Sequence, residues 1–472
     1  MGKCAVQRHW LLPRFPRRLY YLVMNRIYNI LIGLVACIAA GQAQTPVTLA
    51  ESRVSALEYN RSLDLARMDV QYAEAAVKSA RTAYLPKVDG SGSFMFLPDF
   101  GGVALPGFFL PTAESAEAAA AGNYSGTSDA YFPGFNLVMD DLKIYMAEVS
   151  LQQPVYAGGR LRTGNQMADR GAEIAREALS LTRAEVVHGT DRAFWGLVAI
   201  QEQVVVLQKY VEALDSLESQ LAVHFELGLL PRSELLKVTV QRNEARLQLL
   251  EVKNMQKIAG MNLARLTGRP LDEPLTAVYE APAESLSQFE IKNDFSARPE
   301  LRILQQKSEL ARLEKLSVRG EYLPQIGVSA GYRYIDVPNL VSGSWNLTVG
   351  AGVSIPIIHW RDKKHRTDMA RINQMKSEVN FKDAHEQISL EVQQNRFNLE
   401  TAIQKVDVAA VNLEQAEETL SEVEISFNAG LNNITDLLNA RVAWQRASAA
   451  QVEARANLEI VKSAYMKSVG LL

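Results

Sequence analysis

A long segment of this chain recurs in a fixed register. Pro154, Phe225, Gly228, Leu235, Leu236 and Gly268 return as Pro356, Phe427, Gly430, Leu437, Leu438 and Gly470, each 202 residues later (356 − 154 = 470 − 268 = 202). Tyr84-Leu85-Pro86 returns as Tyr322-Leu323-Pro324, 238 residues on. The difference (238 − 202 = 36) places 36 extra residues between the two prolines of the first copy. A repeat of this length implies one structural unit built twice, which constrains the architecture before any single motif does. The spacing predicts repeat 1 over 44–268, a linker at 269–295 and repeat 2 over 296–472.

The stretch before residue 44 reads as a signal peptide over 1–43. Six cations (Lys3, Arg8, Arg14, Arg17, Arg18 and Arg26) precede an apolar run from Ile27 to Ala40, and Gly41-Gln42-Ala43 offers small residues for cleavage. Met24 is an alternative start, because Met24-Asn25-Arg26 alone supplies a short basic segment; Arg17-Arg18 only faintly resembles a twin-arginine signal. Leu34-Val35-Ala36-Cys37 also reads as a lipobox, the alternative in which Cys37 becomes a lipidated N-terminus. Cys4 and Cys37 are the only cysteines, so the exported chain would hold no disulfide or thiolate metal site. Cleavage takes the formal net charge from −3 to −9 (−3 − 6). A mildly acidic exported protein is a poor nucleic-acid binder.

Each repeat mixes short alternating strands with long helices. Thr48 and Glu51 form a capping-box pair for a first helix, broken at Asn60-Arg61-Ser62. A second helix runs to about Tyr84, and Pro86 ends it. Val88, Gly90, Gly92, Phe94 and Phe96 then alternate with Asp89, Ser91 and Ser93, the period of a two-faced strand. Residues 98–140 read as a long connection rich in Gly, Pro and aromatics, and a second strand is expected from Leu142 to Gln153, closed by Pro154. A helix from about Arg162 to Glu226 follows, with Leu207, Tyr210, Leu214, Leu217, Leu221 and His224 at heptad a/d spacing. Leu227-Gly228-Leu229-Leu230-Pro231 turns the chain into a return helix from Arg232 to Thr267, capped by Gly268. In the second copy, strands centred on Ile326–Tyr334 and Leu347–Ile355 lead to a helix from Lys363 to Phe427, with Val406, Leu413, Leu420 and Phe427 on its seam. A turn at Ala429-Gly430 opens a last helix, Ile434 to Val469.

Strands of about ten residues can cross a bilayer when tilted, with apolar side chains toward lipid and polar ones toward a lumen. Four strands cannot close a barrel, and an open sheet edge is not tolerated in lipid. Three chains would supply twelve strands. The alternative, a soluble sandwich, sits poorly with helices far too long to pack on a four-stranded sheet. Pro86, Pro154, Pro324 and Pro356 read as joints between a barrel and a helical section, since proline ends helices and removes a ladder donor.

Tyr-Leu-Pro before a strand, a second Pro after the strand pair, a helical hairpin turning at Gly-Leu before Leu-Leu, and duplication of the whole resemble the TolC family of outer-membrane efflux proteins. The resemblance covers nearly all of the mature chain. It implies a mainly α fold with a small β portion, in which a homotrimer forms a 12-stranded outer-membrane β-barrel continued by a periplasmic α-helical tunnel. It implies partners too: a periplasmic membrane-fusion adaptor, an inner-membrane pump of RND, ABC or MFS type, and outer-membrane lipids, with no nucleic acid. The family's Gly-x-x-x-x-x-Asp-x-Leu-x-Ala tip segment is matched by Gly430 to Ala440. That places Asp436 at the tunnel constriction, with Asn439 where the family has a second acid and Asn432 where it has an arginine. Glu234 is the first-copy counterpart of Asp436. The resemblance makes Gly228, Leu229, Ser233, Leu235, Gly430, Leu431, Thr435 and Leu437 adaptor-docking positions. The bland alternative at each tip is a helical hairpin with a glycine cap and a leucine core, and Asp436 as an acid favoured by the helix dipole.

No catalytic constellation or cofactor motif is legible. His359 and His365 stand six residues apart at a strand–helix joint, a poor metal signature, and the double glycines lack a P-loop lysine. The expected function is a passive outer-membrane exit duct of a Gram-negative tripartite efflux pump, with a large periplasmic portion, carrying drugs or other small molecules. The alternatives are the outer-membrane component of type I protein secretion, or a poreless periplasmic coiled-coil scaffold.

Overall fold

The computed structural model describes residues 45–124, 129–279, 294–338 and 341–472. The expected signal peptide, with Cys37 and both candidate starts, lies outside the described residues. The chain divides into two compact units: Met1–Asp69, Glu177–Arg302 and Asp383–Leu472 form one, Val70–Arg176 and Ile303–Lys382 the other.

The first unit is helical. β1 (Thr45–Val47) leads into α1 (Leu49–Tyr59). The Thr48 hydroxyl accepts from the Glu51 N–H (3.3 Å) while the Glu51 carboxylate accepts from the Thr48 N–H (3.0 Å), so the expected capping box is present. Bonds to the carboxylate from the Thr48 N–H and then from its side chain hold the Glu51 carboxyl below its ordinary pKa. Asn60 ends α1, and its side-chain oxygen accepts from the Ser62 N–H (2.9 Å) at the start of α2 (Arg61–Thr82). α4 (Arg160–Glu226) and α7 (Asp362–Asn428) are 67 residues each, with return helices α5 (Arg232–Thr267) and α8 (Ile434–Ser468); residues 70–82 of α2, 160–176 of α4 and 362–382 of α7 belong to the second unit.

Tyr210, Leu214, Leu217 and Leu221 of α4 are buried with Val238 and Ala245 of α5 and Ile434, Leu437 and Leu438 of α8. Each such aliphatic side chain contributes about 1.5–3 kcal/mol. An exposed ion pair contributes about 0–1 kcal/mol, so this apolar seam holds the hairpins together. His224 is exposed and takes no part in it, because it lies in the last turn of α4, beyond the packed layer. Leu420 and Phe427 of α7 are only half-buried at its margin. β1 pairs in parallel with β6 (Leu275–Ala277), and Val47 and Leu275 are buried with Phe194, Leu197 and Leu263. Two three-residue strands leave no periodic signal, so the sequence did not announce them.

The second unit carries a four-stranded antiparallel sheet in the order β2 (Lys87–Leu105), β5 (Phe135–Ala157), β7 (Gln325–Val337), β8 (Val341–Ser354). The strands are 19, 23, 13 and 14 residues long, beyond the ten or so expected. The segment 98–140 is correspondingly less irregular than its Gly and Pro content suggests. β2 and β5 run into it, and it adds β3 (Phe108–Pro111), a short α3 (Ala116–Ala120) and β4 (Asp129–Phe132). Phe108 pairs with Phe132 and Phe109 with Tyr131, so aromatic pairs extend the hairpin. Pro154 does not close β5: the strand continues to Ala157, and the register shifts between Pro154 and Tyr156. A bulge is where a residue without an N–H fits a ladder. α6 (Pro299–Gly320) precedes β7.

Register aligns the faces of all four strands. Val88, Leu151, Ala330 and Val349 lie opposite one another in one row, and Ser91, Glu148, Arg333 and Asn346 in another. The apolar row and the polar row occupy opposite faces, because residues three apart on a strand point to opposite sides. Arg333 and Glu148 pair at 2.9 Å on the polar face. Val88, Leu347, Val349 and Val353 are exposed on the other. No helix among the described residues is long and apolar enough to cross a membrane.

At the end of β5, Gly158 (φ 62°) and Gly159 (φ 80°) turn the chain into α4. A methyl group built on Gly158 would overlap the backbone of Gly320, whereas one on Gly159 would meet open space. Gly158→Ala is therefore expected to cost about 1–3 kcal/mol, from strain and overlap together. Gly159→Ala, with strain alone, should cost about 1 kcal/mol. Thermal unfolding of the two variants in detergent checks the order, and equal losses would contradict it.

Candidate functional site at the hairpin tips

Both helical hairpins reverse through the same hydrogen-bonded turn. Gly228 (φ 72°) donates to the Phe225 carbonyl (2.9 Å) and Leu229 to His224 (2.9 Å). Gly430 (φ 74°) donates to Phe427 (2.9 Å) and Leu431 to Ser426 (2.8 Å). This is the Schellman arrangement, and its left-handed position explains the glycine, since open space surrounds both. Each turn carries an exposed leucine outward: Leu229 is 73% and Leu431 80% exposed. Leu437 is buried and Leu235 half-buried, so these two anchor the tips inward.

The entries to the return helices differ. α5 starts behind Pro231 with no side-chain cap, whereas Asn433 caps α8 by accepting from the Asp436 N–H (2.9 Å). The tip acids diverge too. Lys237 donates to both carboxylate oxygens of Glu234 (2.9 and 3.1 Å) and also reaches Thr435 Oγ1 (3.3 Å) on the other hairpin. Asp436, Asn439 and Ser233 are exposed. The structure thus brings Glu234, Lys237 and Thr435 together, while Asp436 stays at the surface.

Two features escaped the sequence reading. Arg441 of α8 donates to Glu424 of α7 (2.9 Å) and to the Ala213 carbonyl of α4 (2.7 Å), tying three helices near the tips. Only its place immediately after the tip motif could have flagged it. Deeper in the same unit, the buried Asp191 carboxylate accepts two bonds from Arg53 (2.6 and 2.8 Å) and one from the Ser463 hydroxyl (2.5 Å). His188 Nδ1 lies 3.1 Å from Ser463 Oγ. Because that hydroxyl gives its proton to Asp191, His188 donates, which places a proton on Nδ1. Residues from α1, α4 and α8 thereby share one polar network, invisible in a sequence where they lie 138 and 272 positions apart.

Of the expected joints, Pro86 and Pro324 immediately precede β2 and β7, Pro356 follows β8, and Pro154 sits in the β5 bulge. No cluster of three potential metal ligands occurs among the described residues.

The profile of the outer membrane efflux protein family matches residues 112–269 and 295–470, and the chain belongs to that family. It is 24% identical over 328 residues to the alkaline protease secretion protein AprF of Pseudomonas aeruginosa. That alignment spans 65% of this chain and 66% of the relative, just under two thirds. The fold is similar to the Campylobacter jejuni CmeC outer membrane channel (TM-score 0.71, 18% identity, 89% of this chain and 85% of that one). It is also similar to the Vibrio cholerae outer membrane protein VceC (TM-score 0.70, 14% identity, 89% and 96%) and to the open state of the Neisseria gonorrhoeae MtrE channel (TM-score 0.65, 16% identity, 89% and 88%). At these identities the likeness establishes the fold.

Burial, together with the Lys467 ammonium, pushes His188 below the ordinary histidine pKa. In the unfolded chain histidine titrates near ~6.5. Below that pH the unfolded state gains the proton first, so stability is lost as pH falls toward the lowered native value. Melting curves at about pH 7 and pH 5 should show a smaller acid loss for His188→Gln than for the native chain; an equal loss would remove His188 from the acid response. Asp191→Ala, which strands Arg53 and Ser463, should cost about 3 kcal/mol, the low end for a broken buried pair because Arg53 is partly exposed.

Proposed function

We propose that this protein is the outer-membrane exit duct of a Gram-negative export system, a passive channel driven from the inner membrane. The observation that carries the proposal is the sheet. Its apolar and polar rows align across four strands, while β2 and β8 have no partner on their outer edges among the described residues. Lipid does not tolerate such edges, so closure needs more chains. Three copies supply twelve strands, within the size range of outer-membrane barrels. The barrel then opens into a periplasmic tunnel made by the helical hairpins, with Pro86, Pro154, Pro324 and Pro356 at the junctions. Each chain contributes two copies of a strand-pair-plus-hairpin unit (44–268 and 296–472), joined at 269–295. The duct binds no cofactor and turns over no substrate.

A periplasmic adaptor docks on the tips, where Leu229 and Leu431 offer exposed apolar contacts beside Ser233 and Thr435. The inner-membrane pump, of RND, ABC or MFS type, acts through that adaptor. In a trimer, three copies of Asp436 converge on the axis and, with Asn439, set the constriction. Glu234 contributes less to the field there, because Lys237 neutralises it. A ring of unpaired carboxylates favours cations. Small molecules are the proposed cargo. The protease-secretion relative supports a second proposal, type I protein secretion through the same duct.

Deleting the gene and testing the strain against a drug and dye panel, with secreted proteins assayed in parallel, separates the two. Sensitisation supports efflux, and loss of a secreted protein with unchanged drug tolerance supports secretion. Gly430→Pro is expected to impair export while leaving the trimer intact, because proline holds φ near −65° where the turn needs 74°. If adaptor crosslinking and transport both survive the substitution, the tips are not the docking point.

A further inference from the structure

We propose that the Trp360–Arg361 corner is the anchor of the seam with a second copy of this chain, its indole lying on the Thr82–Tyr84 end of that copy's α2. The proposal rests on the oligomeric duct described above. It starts from the offsets of 202 and 238 residues, which place Trp360 and Arg361 where the first copy has Gly158 and Gly159 (158 + 202 = 360; 159 + 202 = 361). The backbone keeps the same left-handed turn at both corners. Trp360 has φ 38° and Arg361 φ 70°, and with Asp141 they are the only non-glycine residues at positive φ among the described residues. A tryptophan and an arginine rarely adopt this conformation, so the corner's shape is retained against the preference of its residues.

The first corner has its partner within the chain. β5 stays paired with β7 to its end (Tyr156 opposite Ile326, Ala157 opposite Gln325), and Gly158 abuts the backbone of Gly320 at the end of α6. At the second corner His359 and Asp362 touch Tyr322, but among the described residues no strand pairs beyond β8 there. β8 ends at Ser354, its outer edge is free, and Ile357, Ile358 and Trp360 are 86, 70 and 92% exposed. The offsets name the missing surface. Gln325, Ile326 and Gly320 correspond to Lys87, Val88 and Thr82 (325 − 238, 326 − 238, 320 − 238). Those residues end α2 and begin the other free edge, β2. A second copy therefore presents Val88 opposite Ile358 and Lys87 opposite His359, with Thr82 facing Trp360.

The within-repeat registers obey the same arithmetic: Lys87 pairs with Gln152, and Gln325 with Ser354 (87 + 238 = 325; 152 + 202 = 354). One difference between the corners follows from residue size. Gly158 and Gly320 let two backbones touch, but Trp360 and Thr82 both carry a Cβ, so the seam corner is wider. A large flat side chain fills that gap, with Tyr84 and Leu85 exposed beside it. Further along, α7 exposes Met369, Ile372, Met375 and Val379 at helical spacing, and α2 exposes Tyr72. These stripes continue the surface from the corner along both helices.

The test uses the full-length protein purified in detergent, with its mass measured first. Thr82→Cys with Trp360→Cys, treated with a short bismaleimide, is expected to give covalent dimers and trimers. Neither single variant should do so. Trp360→Gly relieves the backbone strain, so a purely local role predicts equal or greater stability. The seam role predicts the opposite sign: the trimer dissociates in SDS at a lower temperature than the native one. A trimer that gives no interchain product, or a Trp360→Gly trimer as heat-resistant as the native one, overturns the proposal while leaving the duct standing. A native mass equal to one chain overturns the trimer itself.

Discussion

The rest of this structure depends on the two free edges of its four-stranded sheet. Antiparallel pairing satisfies the inner strands, but one side of β2 and one side of β8 have no partner strand among the described residues. In water such edges are an aggregation hazard; in hydrocarbon each orphan group costs several kcal/mol. One face carries the apolar row Val88, Leu151, Ala330 and Val349, with Val88 and Val349 exposed, and the other the Ser91–Glu148–Arg333–Asn346 row. In the proposed duct, edge closure by further copies would meet both demands at once. It would give the apolar face to lipid and enclose the polar face with its Glu148–Arg333 pair.

At the far ends of the long helices the governing constraint is conformational. Each hairpin reverses through one left-handed residue, and space is open around both glycines, so the backbone angle alone selects them. Packing below the turns comes from Leu214, Leu221, Val238, Leu437 and neighbouring apolar side chains. Polar groups then differentiate two tips that share a backbone. Lys237 links Glu234 to Thr435, Arg441 reaches across to α4 and α7, and Asp436 remains exposed. On the proposed duct, the second-copy tip carries the field at the constriction, and the first-copy tip is neutralised and tied to its neighbour.

Much of this was legible in the sequence because it is local or periodic. The capping box at Thr48, the break at Asn60, the glycine turns and the span of α5 follow from residue types at short spacing. The alternation of Ile326, Val328 and Ala330 announced β7. What stayed hidden is either non-local or too short to have a period. The Arg53–Asp191–Ser463–His188 network joins residues from three helices. β1 and β6 are three residues each. Pro154 reads as a strand terminator because the sequence cannot show the bulge that accommodates it. The 98–140 segment reads as a connection because its Pro-Gly pairs mask strands on both sides. At the tips, the glycines and leucines were evident, whereas the partner of Lys237 was not.

Single-channel recording of the purified protein in planar bilayers tests the central claim most directly. The account predicts discrete, long-lived conductance steps that favour cations, with the preference reduced in Asp436→Asn. Assembled protein that inserts into the membrane and conducts no ions would contradict it.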